Sequence, residues 1–408
     1  MNLNDILNYN ARKNPNKIAV VETRGDKKIS YKNLVFLIER YAFFLLKNEV
    51  VCGSRVSIKL KNSVEWIALF YAVLKIGAIP VLIDFQSTSF EISQFIEISN
   101  SDVIVIEEND KVLKDKTFIE KDILKNILII PSAPNSENLL KNDKITYFEE
   151  TNNSYKSLFS SFREYSKIIL FTYRGFGFPL SVEYEEKNLI LSVLSNISAS
   201  LINGESIVAH LLPSTHIFGL SCNILSTLTS GGEILVVNNF TPKEMLIKMD
   251  LYNANFITAV PTIIKLFIET AKKTGSNLKN CKRGIVGGNS FSKDLFEEWQ
   301  DLTCGGILIQ GYGLTETSPV LCNSWEDYKI ESLGKPMRGS DLLILDKDNK
   351  IVGVNISGRL FVKKTRIFKN YTNFDEKTLF LDDYFDTADI VYKDKEGFYY
   401  FVERDKNI

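Results

Sequence analysis

Short apolar runs recur along the chain as far as residue 309, and stretches with a helical spacing of apolar residues separate most of them. The runs are residues 79–83, 103–106, 127–130, 168–171, 207–212, 234–237, 256–260, 285–286 and 307–309, and before them Val56, Ile58 and Leu60 alternate with polar residues as in a half-buried strand. Continuous apolar runs of this kind are typical of buried strands in a parallel sheet. Because strands that alternate with helices build parallel sheets, the pattern predicts an α/β chain with mostly parallel, doubly wound sheets.

Two helices between these runs have recognisable ends. Asn62, followed three positions later by Glu65, resembles a capping box, so we expect a helix that begins there and stops near Gly77. A second helix is expected to have Pro261 in its first turn and Gly275 just past its end. Both helices follow predicted strands, as an α/β alternation requires.

Two segments depart from this alternation. Residues 107–155 are rich in Asn, Lys, Asp and Glu and contain one clear strand, which predicts solvent-exposed excursions at the edge of a sheet. After Ser332, strand-like runs at Leu342–Leu345, Arg359–Val362 and Phe398–Val402 are separated by turn clusters with little helical pattern. We therefore expect a separate β-rich subdomain in the last part of the chain.

The size and charge of the chain narrow its organisation and its partners. With 408 residues it exceeds the length at which one hydrophobic core keeps growing, so two or three packed units are expected. Lys and Arg (49 residues) nearly balance Asp and Glu (50 residues), which argues against a nucleic-acid surface and against a polybasic membrane anchor. The expected partner is a small molecule.

The cysteines and histidines do not form a metal-binding pattern. There are two histidines, and the five cysteines lack a C-x-x-C pair and any regular spacing, so a zinc site is not expected. Residues 1–5 do not resemble the start of a signal peptide, and the most hydrophobic run, Trp66–Phe85, is interrupted by Lys75, Gly77 and Pro80. These observations predict a reduced, cytoplasmic chain without a transmembrane segment.

The stretch Gln310–Pro319 carries the most distinctive chemistry in the sequence. It follows the apolar run 307–309 and is expected to leave the carboxyl end of a strand, where open α/β sheets bind ligands. Two glycines flank Tyr312, which permits close approach of the backbone to a ligand and leaves the ring face available to a base. Thr315 and Glu316 add a hydroxyl and a carboxylate, which suit a phosphate and its Mg²⁺. An adenine nucleotide fits these groups, and a glycine-rich surface turn is the alternative.

Together with other segments in a fixed order, this motif makes the chain resemble the adenylate-forming superfamily, which includes acyl- and aryl-CoA synthetases, peptide-synthetase adenylation domains and luciferase. Gln310–Pro319 matches the GYGxTET motif of that superfamily. The further matches are Leu212–Leu220, Val260–Thr262, Gly287–Gly288, Gly334–Pro336, Thr387–Asp389 for the TGD motif and Glu403–Lys406 for the GRxD/K hinge. The resemblance extends from the N-terminal region to the last residue.

The resemblance implies the large N-terminal domain of the acyl-adenylating fold, with two doubly wound, mostly parallel sheets packed with helices and a smaller β-rich subdomain. The expected division is residues 1–331 for two packed α/β subdomains, 332–402 for the β-rich subdomain and 403–408 for the start of a hinge at Lys406. In the superfamily a small C-terminal lid domain follows and supplies a lysine for adenylation. The sequence lacks that domain, so we expect this chain to adenylate poorly.

The resemblance also assigns a nucleotide site residue by residue. Glu316 would hold Mg²⁺, and Asp389 with Arg404 would bind the ribose, since a carboxylate can accept from two vicinal hydroxyls. His216 would gate the acyl pocket beside the reacting carboxylate. The residues implied to line the adenine are Gly287, Gly288, Gly311 and Tyr312. The implied catalytic residues are His216, Thr315 and Glu316, with Thr315 in contact with phosphate.

One motif of the superfamily is altered. Its phosphate loop, TSGTTGxPKG, corresponds to residues 172–181, where the central Ser and Thr hydroxyls are missing and Leu180 takes the place of the lysine. The backbone N–H groups of the two remaining glycines can still face phosphate oxygens, and Arg174 can supply the cation. The loop residues predicted to bind nucleotide are Thr172, Arg174, Gly175 and Gly177. The alternative is that Arg174 pairs with a nearby acid.

The implied reaction is attack of a substrate carboxylate on the α-phosphorus of ATP, followed by transfer of the acyl group to the thiol of coenzyme A. Gly219 stands where peptide-synthetase relatives carry the aspartate that pairs with an amino group, so a fatty or aryl acid is expected. The resemblance thus implies an AMP-forming acid–thiol ligase that uses ATP, Mg²⁺ and CoA. Two alternatives stay open: transfer to a carrier-protein thiol, and a catalytically silent homologue that binds nucleotide or acyl-adenylate.

Overall fold

The computed structural model of the protein describes residues 1–119, 124–131, 144–148, 166–175, 177–238, 241–365, 367–375 and 379–405. The chain divides into two compact units, each with its own core. The first unit comprises residues 1–18, 29–187 and 369–374, and the second comprises residues 19–28, 188–368 and 375–408.

The helices between and around the strands range from four to seventeen residues within the described ranges. They are α1 (Leu3–Lys13), α2 (Tyr31–Lys47), α3 (Val64–Lys75), α4 (Ser89–Ser99), α5 (Lys116–Ile119), α6 (Glu186–Ser200), α7 (Ser226–Ser230), α8 (Pro242–Leu251), α9 (Pro261–Thr274) and α10 (Lys293–Thr303). Two 3₁₀ turns cover Arg24–Asp26 and Lys111–Lys114, and a π-helix covers Phe218–Leu225. Within the same ranges every helix is too short or too polar to cross a bilayer.

The strands fall into three sheets. They are β1 (Ile18–Glu22), β2 (Lys27–Ser30), β3 (Arg55–Lys59), β4 (Ile79–Leu82), β5 (Val103–Glu107), β6 (Asn126–Ile130), β7 (Ile145–Tyr147), β8 (Lys167–Thr172), β9 (Leu180–Glu185), β10 (Ile207–His210), β11 (Glu233–Val236), β12 (Phe256–Ala259), β13 (Arg283–Val286), β14 (Ile307–Leu314), β15 (Ser318–Cys322), β16 (Lys335–Pro336), β17 (Leu342–Leu345), β18 (Gly358–Lys363), β19 (Asn370–Tyr371), β20 (Phe380–Leu381), β21 (Tyr384–Lys393) and β22 (Tyr399–Arg404).

The first unit contains an eight-stranded sheet in the order β19-β9-β8-β4-β3-β5-β6-β7. The strands from β8 to β7 run parallel, and β9 and β19 are antiparallel additions at one edge. Helix α3 is the most buried helix of this unit, because ten of its twelve residues are shielded from solvent. It begins one residue later than the sequence suggested: Ser63, not Asn62, is the N-cap, and its hydroxyl accepts a hydrogen bond from the Trp66 backbone N–H at 3.0 Å.

The described part of the polar segment after β5 is more buried than its composition predicts. It contributes two strands, β6 and β7, to the parallel part of the sheet, where one was expected. Val112, Leu113 and Phe118 are buried in the cluster under this edge of the sheet. The prediction of solvent-exposed excursions is therefore wrong for these residues. Isolated apolar residues among lysines and aspartates escape a periodicity search, although the long polar side chains can reach solvent around them.

The second unit contains nearly all of a nine-stranded sheet in the order β16-β15-β14-β13-β12-β10-β11-β1-β2. The strands from β14 to β1 run parallel, and β15 and β16 are antiparallel. A five-stranded antiparallel sheet, built from β17, β18, β20, β21 and β22, also belongs to this unit. Two mostly parallel sheets with helices and a smaller β-rich part confirm the predicted fold class.

The Gln310–Pro319 motif is part of a β-hairpin and not a loop beyond a strand. Strand β14 continues through the glycines to Leu314, and after a turn at residues 315–317 the chain returns antiparallel as β15. A register shift at Tyr312 and Gly313 interrupts the pairing of the two strands. The glycines suggested a loop, but backbone pairing with β15 extends the strand beyond its apolar part.

The motifs of the second unit lie at one edge of its parallel sheet. Strand β10 has β11 on one side and β12 on the other, so the connections diverge at this point. Open α/β sheets bind ligands at such switch points, outside the carboxyl ends of the strands. Leu212–Leu220 follows β10, Val260–Thr262 follows β12 and Gly287–Gly288 follows β13, which positions all three segments at that edge.

Candidate active site

A cavity of about 70 Å³ opens at the carboxyl edge of the second unit's parallel sheet. Its walls come from the segments after β10 and β13, from the β14–β15 hairpin and from α6. The lining residues are Asn196, Ile217, Phe218, Cys222, Ile285, Gly287, Gly288, Gly311, Tyr312, Gly313, Ser318, Pro319 and Cys322. Gly288 and Gly313 are exposed and mark the mouth, whereas Asn196, Cys222 and Ile285 are buried and form the floor. All four residues predicted to line an adenine therefore line one cavity.

Three predicted nucleotide residues contact one another beside this cavity. The Tyr312 hydroxyl donates a hydrogen bond to Asp389 Oδ2 at 2.6 Å, and Arg404 lies 3.3 Å from Asp389 Oδ1. Burial, followed by the neighbouring Asp389 carboxylate, raises the pKa of Tyr312 well above its usual value. The phenol therefore stays protonated and acts as the donor. Arg404 remains 42% exposed, so its guanidinium is open to a ligand on one side.

Backbone pairing holds this group together. Asp389 on β21 lies directly opposite Arg404 on β22, and the Asp389 carboxylate is almost fully buried. The Thr387 hydroxyl accepts from the Asp389 backbone N–H and donates to the Leu360 carbonyl, which anchors the strand on β18. Ala388, which stands where the superfamily motif has glycine, adopts the left-handed region with φ of 63°.

The three residues predicted to be catalytic lie next to the cavity lining without belonging to it. His216 is exposed and immediately precedes Ile217, which lines the wall. Thr315 and Glu316 occupy the turn between β14 and β15, and Glu316 is buried. A single carboxylate at this turn suits Mg²⁺, which usually takes one or two carboxylates and completes its shell with waters and phosphates. Within the described residues no cluster of three or more metal-binding side chains exists.

The altered phosphate loop is a hairpin turn of the first unit. Thr172 ends β8 and pairs with Leu180 at the start of antiparallel β9, and residues 173–179 connect them. Gly175 and Gly177 are exposed with φ of 87° and 79°, so glycine suits both positions. Arg174 also has a positive φ, 45°, and is partly exposed. The predicted hinge residue, Lys406, lies outside the described residues.

A buried polar network supports the segment that carries His216. His210 is fully buried, its Nε2 lies 2.9 Å from the Ser214 hydroxyl, and its Nδ1 lies 3.2 Å from Asn223 Nδ2. Because the Asn223 amide N–H donates to Nδ1, the ring proton resides on Nε2 and points to Ser214. Burial lowers the pKa of His210 to about 3, so the imidazole is neutral. The network links β10 to the turn before His216 and to the π-helix.

Gly219 sits where a side chain cannot be accommodated. A Cβ at this position would lie 2.3 Å from the carbonyl oxygen of Pro213. Contacts this short force the backbone to move. The residue therefore reflects close packing of the π-helix against the preceding turn.

A model of the AMP-binding enzyme family matches residues 7–372. The chain belongs to the AMP-binding enzyme family. The long-chain-fatty-acid–CoA ligase of Bacillus subtilis (strain 168) is 25% identical over 438 residues, which cover 100% of this chain and 77% of that ligase. The 4-coumarate–CoA ligase 3 of Arabidopsis thaliana is 24% identical over 401 residues, which cover 94% of this chain and 70% of that enzyme. The resemblance drawn from the motifs is confirmed at the level of the family.

A solved structure extends the similarity to the whole fold. The luciferase-like enzyme from the nonluminescent mealworm Zophobas morio superposes with a TM-score of 0.89 at 20% identity, covering 100% of this chain and 96% of that one. At this identity the likeness shows the fold alone. This AMP-binding enzyme thus has the architecture expected for acyl-adenylating proteins.

Sequence reasoning missed four residues of this site. Asn196, Cys222 and Cys322 line the cavity, and His210 supports it, yet none of them belongs to a family motif. The spacing of the cysteines carries information on metal binding alone, and Asn196 lies in the middle of a helix with no distinctive pattern. One signal was available for His210, because it ends the strand that precedes the His216 motif.

Proposed function

We propose that this AMP-binding enzyme is an AMP-forming ligase that activates a fatty or aryl carboxylic acid with ATP and transfers the acyl group to coenzyme A. The observation that carries the proposal is the contact of Tyr312, Asp389 and Arg404 beside an apolar cavity. A ribose and an acyl group joined through one phosphate need such an arrangement of polar and apolar surfaces side by side. The names of the relatives, which are CoA ligases, support the choice of acceptor.

In the proposed first step, a carboxylate oxygen of the acid attacks the α-phosphorus of ATP. A bond forms between this oxygen and the α-phosphorus. The bond between the α-phosphorus and the oxygen that bridges to the β-phosphorus breaks, and pyrophosphate leaves. Asp389 would accept hydrogen bonds from the ribose hydroxyls, and Arg404 would lie beside it as a donor. The fixed position of Asp389 on paired strands keeps the α-phosphate aligned with the acid, which is worth several orders of magnitude in rate.

Charge neutralisation is the second requirement, because two anions must meet. Thr315 would contact phosphate, and Glu316 would hold Mg²⁺, which neutralises phosphate charge when bound. In the phosphate loop, the N–H groups of Gly175 and Gly177 would face phosphate oxygens, with Thr172 at its start and Arg174 as the cation. This use of Arg174 replaces the lysine of the superfamily motif.

The acid would lie against the apolar part of the cavity lining, with His216 near its carboxyl end, and the adenine would lie against the glycines and Tyr312 that the resemblance assigns to it. The cavity lining is largely apolar, and no carboxylate belongs to it among the described residues. At position 219 the clash with Pro213 excludes the aspartate that would pair with an amino group. These features favour a fatty or aryl acid over an amino acid. In the second step the CoA thiol would attack the acyl carbonyl, and AMP would leave.

A catalytically silent homologue is the second candidate. The observation in its favour is the phosphate loop, which has lost its central hydroxyls and in which Leu180 is buried at the lysine position. Such a protein would bind AMP or an acyl-adenylate through Tyr312, Asp389 and Arg404 without turning over ATP.

Calorimetric titration tests the proposal. Non-hydrolysable acyl sulfamoyl adenosines of graded acyl length, plus one aryl member, are titrated into the chain, with AMP and ATP as references. We expect micromolar or tighter binding of at least one acyl analogue, and binding stronger than that of AMP because the cavity is filled. A folded sample that binds none of the compounds would contradict both candidates.

Arg174→Ala distinguishes the ligase from the silent homologue. In the ligase we expect the variant to lose about tenfold or more in ATP affinity and little in AMP affinity, since a charge-assisted contact to the β- or γ-phosphate is removed. Equal losses for ATP and AMP, or none for either, would show that Arg174 does not contact the triphosphate. The matched control is Lys187→Ala, an exposed cation of the same unit.

A further inference from the structure

The turn that carries Thr315 and Glu316 is closed by the side chain of the residue that follows them. Thr317 Oγ1 accepts a hydrogen bond from the Leu314 backbone N–H at 2.9 Å and donates to the Ser318 carbonyl at 2.8 Å. Thr317 and Ser318 are both fully buried. These two bonds fix the shape of the turn at the point where the chain enters β15.

Ser318, the first residue of β15, has a backbone conformation that serine rarely adopts. Its φ is 53°, which lies in the left-handed region where a Cβ is unfavourable and glycine is the usual residue. Backbone strain of this kind persists only where the surrounding structure imposes it, and it is concentrated at functional sites. The strain therefore indicates a role for the Ser318 hydroxyl, which glycine would lack.

The Ser318 hydroxyl joins the hairpin to the π-helix. Its Oγ lies 3.3 Å from Ser221 Oγ, and the Ser221 hydroxyl donates to the Ile217 carbonyl at 2.8 Å. Because that bond uses the Ser221 proton, Ser318 is the donor and Ser221 the acceptor between the two hydroxyls. The Cys222 sulfur, 3.7 Å from Ser221 Oγ, is a weaker partner. Since Ile217 adjoins His216, two hydrogen bonds connect the turn to the His216 segment.

This connection is internal to the second unit and shielded from solvent. Ser221 is fully buried, like Thr317 and Ser318, and all three belong to the second unit. The Ser226 hydroxyl donates to the Ser221 carbonyl at 2.6 Å, which holds the Ser221 backbone in place. Because water does not reach these hydroxyls, removal of one partner leaves the other without a replacement.

We infer that Ser221 and Ser318 are positioning residues, whose hydrogen bond holds the turn of Thr315 and Glu316 at a fixed distance from the His216 segment. The inference rests on the proposed function, in which the turn contacts phosphate and Mg²⁺ and His216 lies beside the reacting carboxylate. The acid and the α-phosphorus must meet in a defined geometry, so small displacements of either segment lower the rate. An acyl-adenylate contacts both segments, whereas AMP has no acyl group to place beside His216.

Calorimetric titration tests the inference through a ratio, the dissociation constant of AMP divided by that of the acyl sulfamoyl adenosine that binds most tightly to the wild type. A merely structural defect weakens both ligands alike and leaves this ratio unchanged. We expect Ser318→Ala and Ser221→Ala each to lower the ratio about threefold to tenfold. The double variant should lower it no further than Ser221→Ala alone, because both changes remove the same hydrogen bond.

Three outcomes would overturn the inference, and they differ in what they say of the proposed function. An unchanged ratio in the folded variants, or a double variant whose loss equals the product of the two single losses, would overturn the inference and leave the proposed function intact. A folded wild-type chain that binds no acyl analogue would overturn the proposed function and this inference with it.

Ser318→Gly separates positioning from stability. Glycine relieves the left-handed conformation and removes the hydroxyl, so the midpoint of urea unfolding should equal or exceed that of the wild type while the ratio falls as in Ser318→Ala. A glycine variant that keeps the full ratio would overturn the inference. The matched control is Ser99→Ala in α4 of the first unit, which should keep the wild-type ratio. The buried Ser99 hydroxyl likewise donates to the Phe95 carbonyl, at 2.6 Å, and its Oγ lies 2.9 Å from Ser101 Oγ.

Discussion

At the scale of single residues, His210 shows how a buried side chain can support a site without touching a ligand. Both ring nitrogens are occupied, by Ser214 and by Asn223, so the imidazole joins the turn before His216 to the π-helix that lines the cavity. Protonation breaks the contact with Asn223, because an imidazolium has no acceptor for the Asn223 amide. The neutral state of this ring is thus a condition for the local structure.

The pH dependence of the unfolding free energy should show that the His210 ring is neutral in the folded protein. The pKa of His210 is about 3 in the folded protein and 6.5 as its ordinary value, so the unfolded chain binds an extra proton between these limits. The contribution of His210 to the free energy of unfolding is therefore fully present above pH 6.5. It falls by about 1.4 kcal/mol for each pH unit below that value. At pH 5 the loss relative to pH 7.5 amounts to about 2 kcal/mol.

Urea unfolding of His210→Gln at both pH values checks this expectation. Glutamine keeps a donor for Ser214 and cannot gain a proton, so the difference in unfolding free energy between the two pH values should be smaller than in the wild type. The matched control is His216→Gln, which replaces the other histidine at an exposed position and should follow the wild type. Identical pH dependence in wild type and His210→Gln would contradict the buried neutral state.

At the scale of secondary-structure elements, the start of α3 has two neighbouring side chains, Asn62 and Ser63, of which one is the N-cap. Ser63 accepts a hydrogen bond from the Trp66 backbone N–H, whereas Asn62 lies one residue before the cap. Loss of an N-cap side chain usually costs about 1 kcal/mol. We therefore expect Ser63→Ala to destabilise the protein by about that amount and Asn62→Ala to cost less.

Equilibrium urea unfolding followed by tryptophan fluorescence measures both variants, since Trp66 lies in the first turn of α3 and is fully buried. A larger loss of unfolding free energy for Asn62→Ala than for Ser63→Ala would show that Asn62, as the sequence suggested, is the N-cap. Ser63→Gly offers a further comparison, because glycine is a tolerated N-cap and should cost only a few tenths of a kcal/mol.

Whether a strand can be predicted from the sequence depends on how its backbone pairs with neighbouring strands. Most of the parallel strands from β4 to β14, with β7 an exception, are recognisable because burial on both faces makes them largely apolar. Strands such as β9, β15 and β19 are visible only through antiparallel pairing, and no local pattern in Ser318–Cys322 distinguishes a strand from the end of a loop. Pairing partners far apart in the sequence carry that information, and periodicity cannot supply it.

The residues of the candidate site also differ in how readily the sequence identifies them. Glycines, Tyr312, Asp389 and Arg404 stand in motifs that a sequence reader can recognise, and the structure brings the last three into contact. Asn196 and Cys222 are recognisable only once α6 and the π-helix are packed, because their role comes from the direction in which each side chain points. Recognition by motif therefore finds the Tyr312, Asp389 and Arg404 group better than the buried lining of the cavity.

At the scale of the whole molecule, the cysteines provide reporters in both units. Cys52 and Cys304 are exposed, whereas Cys222, Cys281 and Cys322 are buried in the second unit. A thiol reagent should therefore label two cysteines rapidly and the other three slowly. Burial raises the pKa of Cys281 to about 12, so reaction of the closed state through its thiolate is negligible.

An acyl-adenylate analogue should change this labelling selectively. Cys222 and Cys322 line the cavity and Cys281 does not, so a bound acyl group shields the first two directly. At a ligand concentration one hundred times the dissociation constant, labelling of these two should slow by about a hundredfold if the bound form is closed. Mass spectrometry of tryptic peptides reads each site separately. Equal slowing of all three buried thiols would mean that the ligand acts on unfolding of the unit and does not cover the cavity.

The contact between Gly219 and Pro213 also bears on how this enzyme could acquire a new substrate. The resemblance to peptide-synthetase adenylation domains implies that an aspartate after the phenylalanine would receive the ammonium group of an amino acid. Here the corresponding codon change would place a Cβ 2.3 Å from the Pro213 carbonyl oxygen. Directed evolution toward amino acids therefore needs an earlier change that moves the turn at Pro213, and libraries that vary position 219 alone should return glycine.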